Sequence, residues 1–224
     1  MPERITFKTA DEITIVGDWY TTPTMIGAIV LFHMMRETKT SWAPLQSACA
    51  KRGIASLAID LRGHGESTKG YEGAILDHRE FTDAEHRLSL NDAYTAVDWV
   101  ANRGLDISRI ALGGASFGAN LAIATMVSRP STPCGVLLSP GADYRGISAL
   151  EESQNLPEYQ ALYIAAAEQD EQSFKDSQKL FEIAPVEKKI FLPYKGPAHG
   201  TDLFKTDSKL PDKIADWLLE IMRG

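Results

Sequence analysis

The chain has 224 residues, with 23 Lys and Arg against 30 Asp and Glu, which gives a formal net charge of −7. Its length fits one α/β domain over residues 1–224, and its 44% hydrophobic and 24% charged content is ordinary for a globular protein. The acidic balance argues against a nucleic-acid partner, because contacts with the phosphate backbone require clustered Lys and Arg.

Cysteine usage and the N-terminus indicate a reduced, cytoplasmic protein. Cys49 and Cys134 lie far apart, and no Cys/His cluster has the spacing of a zinc site, so packed thiols and no metal are expected. The N-terminus lacks a basic segment followed by an apolar one, and the apolar stretch from Met25 to Met35 is too short to cross a bilayer. We therefore expect neither a signal peptide nor a membrane partner.

Hydrophobic patterning predicts alternating strands and helices, with a half-buried hairpin at the start. Strands are predicted at Ile5–Thr9, Ile13–Tyr20, Ile26–Phe32, Ile54–Leu61, Ile110–Leu112, Val136–Ser139, Tyr159–Ala167 and Lys189–Pro193. Helices are predicted at Ser41–Arg52, Asp83–Arg103, Phe117–Ser128, Phe174–Phe181 and Lys209–Met222. This order indicates an α/β fold with a mostly parallel sheet, helices on both faces and the hairpin at one edge. The long loop Gly63–Thr82 is of a kind that is usually functional or mobile.

A G-x-S-x-G motif centred on Ser116 carries the first sign of chemistry. Ser116 follows a buried strand and precedes a helix, which is the context of a nucleophile elbow. Gly114 and Gly118 suit this turn because the serine backbone is strained and a side chain beside it would collide. The alternative is a serine that merely caps the helix. Ala115 and Ala119 exclude a dinucleotide fingerprint and a P-loop at this position, so no cofactor is expected.

A serine nucleophile requires a base and an acid. Where the serine lies on a nucleophile elbow, the acid follows it along the chain and the base follows the acid. His199 is the only histidine after Ser116, and it lies in a Gly/Pro loop just past the last predicted strand. Asp170 follows the fifth strand after the hairpin and is the favoured acid, because a carboxylate there could orient the imidazole. Asp143, after the preceding strand, remains the competing acid.

These segments, taken together, resemble a small α/β-hydrolase-fold serine hydrolase of the carboxylesterase and dienelactone-hydrolase-like type. The resemblance covers nearly the whole chain. It rests on an apolar strand ending in His33, the stretch DLRGHGES at Asp60–Ser67, the elbow at Ser116, Asp170 after a strand, and Ala198-His199-Gly200. It implies the α/β-hydrolase fold, with a twisted sheet and no cofactor. The DLRGHGES stretch is chiefly structural in this family, so His64 is given no catalytic role.

The resemblance also implies an oxyanion hole made of two backbone N–H groups. One belongs to Phe117, the residue after the nucleophile, and the other to the loop after His33. Many relatives carry His-Gly-x there, whereas this chain has Met34 and Met35; by position Met35 supplies the donor, with Met34 as the alternative. His33, Met34, Met35 and Phe117 are the predicted substrate pocket, in which the methionines form an adaptable wall or simply pack in the core. Arg36 either attracts a substrate carboxylate or is a plain surface residue.

Members of this fold often carry a helical cap, but only Pro140 to Glu158 separate the relevant strands here. The absence of a cap predicts an open cleft, which favours small or short-acyl esters. The resemblance, with a serine nucleophile at Ser116, implies hydrolysis of carboxylic esters through an acyl-enzyme. A thioesterase, an acyltransferase or an amide or peptide hydrolase would use the same residues. A non-catalytic ligand-binding protein is the alternative from another class. The expected partner is a small-molecule ester, and the expected assembly is a monomer or homodimer.

Overall fold

Strands and helices alternate along residues 2–223, which are the residues described by this computed structural model; Met1 and Gly224, the ends of the predicted domain, lie outside it. The strands are β1 Glu3–Lys8, β2 Thr14–Tyr20, β3 Gly27–Phe32, β4 Ile54–Asp60, β5 Ile110–Ala115, β6 Cys134–Leu138, β7 Asp143–Tyr144, β8 Ile147–Ser148, β9 Ala161–Ala167 and β10 Lys188–Tyr194. The α-helices are α1 Ala43–Ala50, α2 Asp83–Arg87, α3 Ser89–Ala101, α4 Phe117–Ser128, α5 Ala149–Ser153, α6 Glu171–Ile183, α7 Leu203–Thr206 and α8 Leu210–Arg223. None of these helices is long and apolar enough to cross a membrane.

One eight-stranded sheet has the order β1-β2-β4-β3-β5-β6-β9-β10. The β1–β2 and β2–β4 pairs are antiparallel, and the remaining pairs are parallel. Helices α3, α4 and α6 pack their buried residues on one face, and α1 and α8 pack theirs on the other. The predicted mostly parallel sheet with an antiparallel hairpin at one edge is confirmed. The carboxyl ends of β3, β5, β9 and β10 meet at one edge, where ligands bind in open α/β sheets.

The helices differ from prediction in several places. The single helix expected over Asp83–Arg103 is broken at Leu88, whose N–H donates to Glu85 O at 3.1 Å in a tighter turn. The helix expected at Phe174–Phe181 extends over Glu171–Ile183 and begins directly after Asp170. The β7–β8 hairpin and the helices α5 and α7 were not predicted, because elements of two to five residues are too short to carry a hydrophobic period.

The DLRGHGES stretch at Asp60–Ser67 forms many buried polar contacts. The Asp60 carboxylate accepts the Lys39 backbone N–H and side-chain ammonium, each at 2.8 Å, and the Glu66 N–H at 2.9 Å. Gly65 has φ of +49°, and a Cβ there would lie 2.3 Å from an Asp60 oxygen, so only glycine fits. These contacts fasten the loop after β3, which carries Lys39, to the end of β4.

A second ion pair anchors the same stretch to the core. The guanidinium of Arg62 is 4% exposed and donates to Asp92 at 2.7 and 3.0 Å and to Asp11 at 2.7 and 3.1 Å. The Arg62 backbone N–H also donates to Asp92, at 2.9 Å. Removing one partner of such a buried pair would leave an uncompensated charge and destabilise the fold. The role of these residues is therefore to stabilise the structure.

His33 joins the ends of β3 and β4. Its Nδ1 lies 2.8 Å from Met34 O and must donate, whereas its Nε2 accepts the Leu61 N–H at 3.0 Å. This pattern requires a neutral ring with its proton on Nδ1. Burial lowers the pKa of His33 to about 4, in agreement with that pattern.

His64 ties the stretch directly to the loop after β3. Its Nδ1 lies 3.0 Å from Arg62 O and its Nε2 lies 3.0 Å from Met35 O, so a neutral ring donates to only one of the two carbonyls. The ring stacks on His78 at 3.6 Å between centroids. Burial is the main cause that lowers the pKa of His64 to about 3, and the neighbouring His33 and His78 lower it further.

Replacing His64 with Asn is expected to weaken the acid dependence of stability. The pKa of His64 is lower in the folded than in the unfolded chain, so unfolding takes up a proton as the pH falls below about 6.5. Near pH 5.5, the slope of the free energy of unfolding against pH should therefore be smaller in the variant by about 1 kcal/mol per pH unit.

Urea denaturation of both proteins from pH 5 to 8.5 measures this difference. Contributions from other groups, including the acidic pairs, are common to both proteins and cancel. Above pH 7.5 the slopes should coincide, which serves as the internal control. Equal slopes at pH 5.5 would mean that His64 is protonated in the folded protein.

Candidate active site

Ser116 lies on the sharp turn between β5 and α4. Its backbone has φ 52° and ψ −121°, a conformation that residues other than glycine rarely adopt. The Ser116 N–H donates to Leu138 O at 2.8 Å, which holds the turn against the end of β6. The side chain is 7% exposed and stands at the N-terminus of the twelve-residue helix α4, where the helix dipole favours developing negative charge.

Gly114 and Gly118 allow this turn to pack tightly. A Cβ at Gly114 would lie 1.9 Å from Gly118 O, and a Cβ at Gly118 would lie 2.2 Å from Phe32 O. Both contacts are with backbone atoms, which cannot move aside as a flexible side chain can. The glycines of the motif are therefore required by the close passage of α4 across the ends of β3 and β5.

Asp170 and His199 are brought together from neighbouring loops. The Nδ1 of His199 lies 2.6 Å from Asp170 Oδ2, and the side chains are 33% and 20% exposed respectively. The Gln169 N–H donates to Gly196 O at 3.1 Å and links the loop after β9 to the loop after β10. A short contact to a carboxylate places the imidazole proton on Nδ1 and leaves Nε2 as an acceptor.

The competing acid lies elsewhere. Asp143 is exposed, and its Oδ1 accepts the Gly146 N–H at 2.9 Å within the β7–β8 turn. Of the two acids weighed from the sequence, Asp170 is therefore the one hydrogen-bonded to His199.

Ser116 and His199 line one cleft of about 460 Å³. The other residues around it are Met34, Met35, Arg36, Glu37 and Asp202. Among residues 2–223, no hydrogen bond joins Ser116 Oγ to the His199 ring; such bonds are often long in unliganded enzymes. Within the same residues, no group of three or more His, Cys, Asp or Glu side chains is arranged to hold a metal ion.

Ser139 supports the His199 loop, and nothing in the sequence indicated it. This buried serine also has a positive φ, 52°, and its Oγ accepts the Gly200 N–H at 3.0 Å. Gly200 has φ of +56°, and a Cβ there would lie 2.8 Å from the Met34 sulfur. The loops after β3, β6 and β10 are thus packed directly on one another.

Ser173 is a further neighbour of His199. Its Oγ lies 3.5 Å from Nδ1 of His199 and 3.0 Å from the Tyr144 hydroxyl, and the residue is 2% exposed. It therefore approaches the ring nitrogen that already binds Asp170, and it does not line the cleft. This position suits a residue that orients the ring. The only signal in the sequence is its position three residues after Asp170, on the first turn of α6.

The backbone N–H groups predicted to bind the oxyanion are not used in hydrogen bonds within residues 2–223 of the protein. Within the described chain, the backbone N–H groups of Phe117 and Met35 have no hydrogen-bond partner in the protein, and the same holds for Met34. Met34 and Met35 both line the cleft, so the choice between their N–H groups stays open.

His33 and the side chain of Phe117 do not line the cleft, which differs from the predicted pocket. His33 is 0% exposed because both of its nitrogens are engaged beneath the loop. The Phe117 ring is 1% exposed and packs edge-on against His86 at 5.8 Å, inside the core. Both residues are neighbours in sequence of residues that line the cleft, but this position alone does not determine which way their side chains point.

Comparison with protein families gives one match. The sequence model of the serine aminopeptidase S33 family matches residues 23–153, from the segment before β3 to the end of α5. The matched part contains Asp60–Ser67 and Ser116, whereas Asp170 and His199 lie beyond it. No curated protein sequence matches the chain.

Solved structures resemble the whole chain. An esterase from Pyrococcus furiosus superposes with a TM-score of 0.79 at 16% identity, covering 100% of this chain and 91% of that one. The α/β hydrolase GrgF from Penicillium sp. sh18 gives 0.77 at 16% identity, with 100% of both chains covered. An esterase domain from Rhodothermus marinus gives 0.76 at 11% identity, with 99% of both covered. The predicted α/β-hydrolase fold is confirmed by these likenesses.

The matched segment is more than half of the 224 residues and spans the elbow and four of the parallel strands. The sheet order and the strand–turn–helix around Ser116 agree with the fold of these hydrolases. This chain therefore belongs to the serine aminopeptidase S33 family of α/β-hydrolase-fold proteins.

Proposed function

We propose that this protein is a serine carboxylic ester hydrolase that acts on small or short-acyl esters through an acyl-enzyme. The observation that carries the proposal is the 2.6 Å contact between Asp170 and His199, in the same cleft as Ser116 on its strained turn. A nucleophile, a base and a group that orients the base are the parts that acyl transfer requires.

Acylation starts when the Ser116 hydroxyl attacks the ester carbonyl carbon and His199 Nε2 takes the hydroxyl proton. The Nδ1–H of His199 stays bonded to Asp170, which holds the ring and stabilises the imidazolium. The N–H groups of Phe117 and Met35 bind the tetrahedral oxyanion, and α4 adds its dipole. When the tetrahedral intermediate collapses, His199 returns the proton to the leaving alcohol.

Deacylation repeats these steps with water. His199 takes a proton from the water, whose oxygen attacks the acyl-enzyme carbonyl, and the same N–H groups bind the second oxyanion. The proton then passes to Ser116 Oγ as the acid leaves. None of these steps needs a cofactor.

The open cleft supports the preference for small esters. Between β6 and β9 the described chain holds only the two-residue strands β7 and β8 and the five-residue helix α5. A segment of this size cannot form a cap over a long acyl chain. We therefore expect the rate of hydrolysis of p-nitrophenyl esters to peak at short acyl chains and to fall as the chain lengthens; a maximum at long chains would contradict the size preference.

Amide or peptide hydrolysis is the second candidate. Glu37 and Asp202 place carboxylates in the cleft beside Ser116, and a free α-amino group, which is positively charged at pH 7, would be attracted to them. Asp202 is already paired with Lys205 at 2.7 Å. The two candidates are distinguished by comparing hydrolysis rates for substrates that share one acyl group and differ in the bond cleaved. These substrates are a p-nitrophenyl ester, a thioester and a p-nitroanilide.

Ser116→Ala is expected to abolish covalent labelling by a fluorophosphonate probe and to lower ester turnover by at least about 1,000-fold, since the attacking oxygen is lost. The matched variant Ser173→Ala keeps the label, because Ser173 is buried and does not line the cleft. Mass spectrometry of the labelled peptide reads the result. Labelling that survives in Ser116→Ala and disappears in Ser173→Ala would reverse the assignment.

Asp170→Asn is expected to lower kcat by roughly 1,000-fold or more, because an amide can hold His199 in the wrong tautomer. Asp143→Asn is the matched control, since its Oδ1 can still accept the Gly146 N–H and its side chain forms no hydrogen bond with His199. Ester kinetics of the two variants, with folding checked by circular dichroism, decide the acid. A large loss in Asp143→Asn alone would assign the role to Asp143.

A further inference from the structure

A second cleft of about 420 Å³ adjoins the catalytic one. It is lined by Met35, Arg36, His78, Arg79, Phe81, His86 and Arg145, and we call it the basic cleft. Met35 and Arg36 also line the cleft that contains Ser116 and His199, so the two spaces share a wall. A substrate held at Ser116 can therefore extend from one into the other.

The charge of this wall is opposite to that of the whole chain. Three arginines and two histidines line the basic cleft, with no carboxylate among the lining residues, in a protein of formal net charge −7. Like charges repel one another when gathered in a concave surface, and an anion bound there would offset that repulsion.

Arg36 and Arg145 are available to a ligand. Arg36 is exposed and forms no ion pair with any residue in the described part of the chain. Arg79 pairs with Asp77, and Arg145 pairs with Asp83 at 3.1 Å with both side chains at least half exposed. An exposed single contact such as Arg145–Asp83 is weak, so a ligand with good geometry can replace that carboxylate. Asp77, in contrast, holds Arg79 through both of its oxygens.

The backbone that carries Arg145 is held in place by its neighbours. Arg145 has φ of +56°, a conformation unfavourable for arginine, at the turn between β7 and β8. Arg87 Nη1 donates to Gly146 O at 2.8 Å, and the buried Asn120 of α4 donates to Ile147 O at 2.8 Å. The hairpin that presents Arg145 is thereby fastened to the helix that starts at the elbow.

His86 places the basic cleft directly behind the elbow. The centroid of its ring lies 5.8 Å from that of Phe117, the residue after Ser116, and 5.4 Å from that of Phe81. Burial, and then the positive charge of Arg145, lower the pKa of His86, which is the effect expected in a region of positive potential.

We infer that the basic cleft binds an oxyanion of the substrate, either a carboxylate or a phosphate, so the preferred ester carries a negative group beyond Met35 and Arg36. Planar guanidinium groups match both oxyanions, because each can accept two parallel N–H bonds. The inference concerns the substrate class of the proposed ester hydrolase and rests on that function, but its binding step can be measured without turnover.

Binding is tested in the Ser116→Ala protein, which cannot turn substrate over. Inorganic phosphate and glutarate are titrated by isothermal calorimetry, at low salt because screening weakens such contacts. We expect adding Arg145→Gln or Arg36→Gln to raise the Kd of the oxyanion that binds by about tenfold. The control, Arg109→Gln, removes the same charge at the opposite end of β5, next to Ile110, and should leave that Kd unchanged.

The two oxyanions are separate arms of this titration. Tighter binding of glutarate identifies a carboxylate as the recognised group, and tighter binding of phosphate identifies a phosphoryl group. The inference is overturned if neither binds, or if Arg109→Gln weakens binding as much as the cleft variants do, because a general charge effect would then explain the result.

Steady-state kinetics of the active protein provide a second test of the anion site. Mono-p-nitrophenyl glutarate and p-nitrophenyl valerate have acyl chains of equal length and differ in a terminal carboxylate. The pair 4-acetoxybenzoate and methyl 4-acetoxybenzoate places the charge on the alcohol side instead. We expect kcat/KM to favour the charged member of one pair by about tenfold or more, and Arg145→Gln to remove most of that ratio.

The outcomes separate this inference from the proposed function. Equal kcat/KM values for charged and neutral esters in both pairs would exclude a carboxylate as the recognised group and leave ester hydrolysis intact. If phosphate also fails to bind in the titration, the anion site is overturned. No hydrolysis of any ester, with Ser116 unlabelled by the phosphonate, would overturn the proposed function, and the calorimetric titration would still decide whether the cleft binds an oxyanion.

Discussion

The close passage of α4 across the ends of β3 and β5 is the constraint on which the candidate site depends. Gly114 and Gly118 lie so near backbone atoms that neither position can hold a Cβ. Their contact allows α4 to begin immediately after Ser116, with the serine backbone at a positive φ. The strain of that turn is offset by the packing around it, since α4 is buried along nearly its whole length.

Buried polar groups hold the loops around the cleft. The Asp60–Ser67 stretch fastens the loop after β3 through the carboxylate of Asp60 and the ring of His64, which reaches Met35 O. Ser139 holds the loop of His199 through the Gly200 N–H. A cleft without a cap needs such support from below, because nothing above it restrains the loops that carry the proposed oxyanion donor and base.

The two clefts differ in the charges of the side chains that line them. The cleft with Ser116 contains both acidic and basic side chains, whereas the basic cleft behind it contains only neutral and cationic ones. Positive potential beside a reacting ester draws an anionic substrate toward the site and orients it, so specificity can arise from charge where the open walls offer little shape.

The sequence alone determined the sheet, the elbow and the order of the candidate residues. Continuous apolar strands and the glycines beside Ser116 are local requirements of burial and sterics, so they can be read without a structure. The tertiary structure decided that Asp170, and not Asp143, meets His199. It also assembled the basic cleft, whose arginines include Arg36 and Arg145 from distant segments. Such contacts depend on how loops fold over the sheet edge and on which way side chains point, and no local pattern encodes either.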